Sequence, residues 1–84
     1  MLNYKTIKNF FKEYPDGKIN LVQSDCVFAL TKEISFTLDM TSITFRGITY
    51  TEKKCGNEYI RKGNFMLPFN QIIRVEYIKK EYEE

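Results

Sequence analysis

Histidine is absent from this chain of 84 residues, as is tryptophan, so its aromatic residues are all Phe and Tyr. The missing histidine removes the side chain that titrates nearest neutrality and most often serves as a general base. Zinc sites need about four Cys, His or carboxylate ligands. The two cysteines, Cys26 and Cys55, lie far apart in the sequence, so no metal or other cofactor is expected. The glycines, Gly17, Gly47, Gly56 and Gly63, stand singly. None belongs to a glycine-rich loop of the kind that cradles phosphate.

No apolar run approaches the roughly 18 residues of a membrane span. Lys5 and Lys8 interrupt what could otherwise be a signal-peptide core. A cytoplasmic protein is therefore expected, a setting that favours two free thiols over a disulfide. No sign of charge dominates: 13 basic and 11 acidic residues leave +2. That balance gives neither a nucleic-acid footprint nor an acidic mimic. Lysine outnumbers arginine, and Ile, Asn, Tyr and Phe are plentiful. This usage follows from AT-rich coding and suggests a low-GC bacterium or its phage.

What is present is alternation. Ile34, Phe36, Leu38 and Met40, then Ile43 and Phe45, then Ile48 and Tyr50 recur every second residue, with polar residues between them. Successive side chains of a strand point to opposite faces, so the pattern describes an antiparallel sheet with one wet face. The phase slips at Gly47, where a β-bulge would keep the apolar side chains on one side. Before the strands, Tyr4, Ile7, Phe10, Phe11 and Tyr14 recur at helical spacing behind a possible cap at Asn3. The spacing predicts an amphipathic helix over residues 3–14, ended by Pro15-Asp16-Gly17.

The fold class expected is α+β, predominantly β, in a single domain over residues 1–84. The helix is followed by a six- or seven-stranded antiparallel meander over residues 18–78, curled into a small bent sheet or half-open barrel. Glu58 to Arg61 and Phe65 to Phe69 are expected as two short strands joined by a hairpin at Lys62-Gly63-Asn64. Pro68 would mark an edge or a strand end. Ile73, Val75 and Tyr77 would close the sheet, and residues 79–84 would fray. Leu21, Phe28, Leu30, Phe36, Leu38, Phe45, Ile73 and Val75 are the expected core, completed from the helix by Ile7 or Phe11. Helix, meander, a short corner at Asn70-Gln71 and a last strand form a plan that resembles Sm-like barrels. The strand portion is also similar to pleckstrin-homology-like sheets. Neither likeness rests on a residue motif.

For function, the carboxylates at strand ends and turns read as solvated groups rather than a catalytic pair. Cys55, beside Lys53 and Lys54, is either an activated thiol or an incidental exposed one. With Ile60 facing the core, Tyr59 and Arg61 would share the opposite face, and Arg46 and Arg74 are outward by the parity of their own strands. Arg46, Tyr59, Arg61 and Arg74 are thus the candidate surface for a partner or for nucleic acid, able to stack bases and meet phosphates. Cross-strand pairing of these arginines with Glu52, Glu58 or Glu76 is the competing explanation. Surplus tyrosine suits a protein interface. A small non-enzymatic binding module, regulatory or accessory, acting through a protein surface is expected, with no membrane partner. The alternative is an Sm-like or OB-like protein binding single-stranded nucleic acid. Unpaired strand edges would also favour a homo-oligomer.

Overall fold

The structure, a computed structural model, describes residues 2–79. Helix α1 spans Tyr4–Glu13 and starts where Asn3 Oδ1 accepts the Thr6 amide at 2.8 Å. Such a cap satisfies one of the amides that have no partner inside the helix. Ile7, Phe10 and Phe11 form its buried stripe. Tyr4 lies at the rim of that stripe, its ring 5.7 Å from that of Phe36. At the far end the Gly17 amide donates to the Tyr14 carbonyl at 2.9 Å, and the chain turns into the sheet.

Six antiparallel strands follow: β1 (Lys18–Val22), β2 (Cys26–Leu30), β3 (Ser35–Leu38), β4 (Ser42–Lys54), β5 (Asn57–Pro68) and β6 (Arg74–Ile78). A short 3-10 turn, Phe69–Gln71, forms the corner before β6. β1 pairs with β2, and β6 returns to the other edge of β1. β4 is the long strand. One of its edges pairs along its length with β5, while the opposite edge takes β3 near Phe45 and β2 near Tyr50. The result is a bent sheet that does not close. Tail residues 80–84 lie outside the described residues.

Gly47 creates the bend as expected. Phe45 faces Phe65 and Ile48 faces Gly63, so two residues of β4 stand opposite the single Asn64 of β5. The Gly47 amide donates to Asn64 Oδ1 at 3.0 Å. Gly47 has φ +69°, a conformation costly for any residue with a Cβ. Through this bulge Ile43, Phe45 and Ile48 all remain fully buried, and Tyr50 packs against them on the same side.

The inner face carries Ile19, Leu21, Phe28, Leu30, Ile43, Phe45, Ile48 and Leu67, and α1 closes over it with Ile7, Phe10 and Phe11. Phe36, Leu38 and Val75, expected among the most buried residues, are half-buried at the margin of this cluster. Ile73 departs further, with 67% of its surface exposed. Its amide donates to the Val22 carbonyl at 2.7 Å, but pairing of β6 with β1 begins only at Arg74. Leaving the 3-10 turn, the chain directs Ile72 toward the core in its place.

The hairpin expected at Lys62-Gly63-Asn64 is not formed, because β5 runs unbroken from Asn57 to Pro68. Its parity is therefore set by Phe65 and Leu67, which place Gly63, Arg61 and Tyr59 on the inner side. Ile60 consequently points outward and is 78% exposed. The expectation that Ile60 faces the core is reversed.

Candidate functional site

The four residues expected to share a surface are divided by this parity. Tyr59 and Arg61 lie on the inner side of the β4–β5 ribbon, beyond the reach of the core, opposite Glu52 and Tyr50 respectively. Arg74 lies opposite Val22, which lies opposite Val27, then Thr51, then Ile60, a row on the outer face. Arg46 also faces outward, opposite Ser35 at the bulge. Only Tyr59 and Arg61 meet, with the guanidinium carbon 5.7 Å from the ring centroid.

Both Arg61 and Arg74 are engaged by carboxylates. Arg61 Nε donates to Glu52 Oε1 at 2.9 Å across the ribbon, and that hydrogen bond raises its pKa further. Arg74 Nε donates to Glu76 Oε2 at 2.8 Å along its own strand, while Asn20 Nδ2 reaches the other oxygen of Glu76 at 3.5 Å. Exposed pairs of this kind contribute little to stability, but they lower the net positive charge offered to a phosphate.

The cysteines have separate roles. Cys26 is buried beneath the inner face, and burial, reinforced by Glu52 and Asp25, pushes its thiol pKa up. Cys55 is exposed at the β4–β5 turn with φ +54°, followed by Gly56 at φ +80°, the backbone of a two-residue hairpin turn. The space beside it is bounded by Asp25 and Glu52 as well as Lys53 and Lys54, so charge of both signs surrounds the thiol. Among the described residues, no group of three or more His, Cys, Asp and Glu could hold a metal ion.

A feature absent from the sequence reading lies at the opposite end of the sheet. The β3–β4 turn and the β5–β6 corner enclose a groove of about 380 Å³, lined by Asp39, Met40, Thr41, Ser42, Met66, Pro68, Phe69 and Asn70. Asp39 fixes one wall. Its Oδ1 accepts the amides of Thr41 at 2.7 Å and Ser42 at 2.8 Å, and the hydroxyls of both residues also donate to this carboxylate. The Phe69 amide donates to the Thr41 carbonyl at 2.9 Å, tying the corner to the turn. Over this braced frame Met40 stands 93% exposed, with Met66 also exposed. In the sequence Met40 is the last member of the alternating run. The turn places it beside a residue 26 positions later in the chain.

The two backbone hydrogen bonds hold the Asp39 carboxyl below the usual aspartate range. The bonds favour its charged form, so their stabilisation is present above an unfolded pKa of about 4 and lost as pH falls through the lower folded value. Asp39→Asn should therefore be less stable than the wild type at pH 7, and the difference should shrink as pH falls below the unfolded value of about 4 and on through the lower folded one. Thermal midpoints measured across this range check it; a difference independent of pH would mean that the charge is not what braces the turn.

Compared with protein-family models, with curated proteins and with solved structures, the chain matches none. No helix among the described residues is long and apolar enough to cross a membrane.

Proposed function

We propose that the protein is a small non-enzymatic binding module that captures a partner protein in the groove between the β3–β4 turn and the β5–β6 corner. One observation carries this reading: exposed thioethers and an aromatic wall sit on a hydrogen-bonded frame whose only charged lining residue, among the described residues, is the already engaged Asp39. Methionine is flexible and polarizable, and surfaces built from it adapt to apolar side chains of a partner. The occupant that suits this chemistry is an apolar anchor residue on another protein. A regulatory or accessory role in the cytoplasm of a low-GC bacterium or its phage fits a single small domain with balanced charge.

Binding of single-stranded nucleic acid is the second reading. Phe69 offers a ring for a base and Asn70 an amide for its edge, within the same groove. Against it, no cation among the described residues lines the groove, and Arg61 and Arg74 are paired elsewhere.

Affinity capture from the native host with the wild type and with Met40→Asp separates these readings when combined with filter binding across a salt series. The protein reading expects a discrete partner whose capture falls at least about fivefold in the variant, equivalent to about 1 kcal/mol. Oligonucleotide binding that weakens steeply with salt would support the rival.

A further inference from the structure

We propose that two copies of this chain associate through their β5 strands, paired antiparallel about a two-fold axis at Ile60. Among the described residues β5 pairs only with β4, leaving its other edge open. Unpaired backbone groups on such an edge are a template for another strand.

The side chains along that edge are complementary to themselves. With Ile60 opposite Ile60 of a second copy, Glu58 falls opposite Lys62 and Tyr59 opposite Arg61, and the two-fold repeats both contacts. Glu58, Ile60 and Lys62 share the outer face, while Tyr59 and Arg61 share the inner one. Each match thus joins side chains on the same side of the continued sheet. The exposed Ile60 is covered by its own mate. The Arg61 guanidinium, which already lies near its own Tyr59, gains the ring of the second copy. The intrachain ion pairs among the described residues are Arg61–Glu52 and Arg74–Glu76; Glu58, although it faces Lys53 of β4, and Lys62 are in neither.

The pairing extends from Asn57 to Gly63, where the sheet bends at the bulge. Pro68, which lacks an amide to donate, lies outside this overlap. Among the described residues the other open edges, those of β3 and β6, are shorter, and Arg74 and Glu76 of β6 are bonded to each other. This proposal is independent of the groove, which remains open in the pair because Met40, Phe69 and Asn70 lie off the overlap.

Charge reversal tests the register. Sedimentation equilibrium over a concentration series into the high micromolar range should show the wild type rising from 10.0 kDa to twice that mass and no further. Glu58→Lys and Lys62→Glu each place like charges opposite one another at two symmetric positions, and each should weaken association by about tenfold. The double variant should restore it. Four strand positions separate Glu58 and Lys62 by about 13 Å, too far for an ion pair within one chain, so rescue requires a second copy. Circular dichroism should show all three variants folded. A wild type that stays at one chain mass, assembly beyond two chains, or a double variant no better than the singles would overturn the proposal.

Discussion

Phe28→Ala should destabilise the protein by about 3–5 kcal/mol, the cost of removing a fully buried aromatic ring from a core that closes only partly behind it. Phe28 has no exposed surface. Its ring centroid lies 4.7 Å from that of Phe65, 4.9 Å from Tyr50 and 5.9 Å from Phe45, so it joins β2 to both strands of the β4–β5 ribbon. A chain of this length has roughly 5–10 kcal/mol of stability in total. The loss should lower the melting temperature by tens of degrees. Urea titration of both proteins measures it. A loss below about 1 kcal/mol would show that the aromatic cluster does not bear on stability as described.

Gly17→Ala should cost about 1–3 kcal/mol for a different reason, the intrusion of one methyl group into a closed contact. A Cβ at Gly17 would stand 2.8 Å from the Ile78 carbonyl oxygen and 3.0 Å from the Phe10 ring. The nearer obstacle is backbone, so relief requires β6 to move away from the α1–β1 connection. At Gly47 a Cβ would meet nothing within 4 Å, and alanine there should cost only the about 1–2 kcal/mol of its left-handed conformation. Equilibrium unfolding of the two variants compares steric and conformational costs directly. Equal stability of Gly17→Ala and the wild type would mean that the α1–β1 connection does not press on β6 and Phe10 at this point.

The parts of the fold legible in the sequence were those where one local rule acts alone. Ile7, Phe10 and Phe11 fall on one helical stripe, and Asn3 ends it as a cap, so α1 could be placed to within a residue at its start. The bulge was legible because Gly47 coincides with a slip in apolar phase. β5 was misread where two local signals competed with a long-range one. Lys62-Gly63-Asn64 has the composition of a turn, yet Gly63 is held in a continuous strand by its pairing with Ile48. The inverted face of Ile60 followed from that break, and with it the assembly of Arg46, Tyr59, Arg61 and Arg74 into one patch. Ile73 shows the same limit: it precedes Val75 at strand spacing, but it lies outside β6, and burial depends on a neighbouring strand that pairs only from Arg74 onward. The groove was not legible at all, since Met40 and Phe69 become neighbours only when β5 returns along β4.

If Met40 and the groove beneath it hold a partner protein, that partner lies within bonding distance of position 40. A photo-crosslinking amino acid placed at position 40 should, on irradiation in the native host, join the chain to one discrete protein species. The same residue at Lys12, exposed in the last turn of α1 and outside the groove lining, should not capture that species. Cross-links at position 40 to nucleic acid alone, or a protein pattern identical at positions 40 and 12, would contradict capture in the groove.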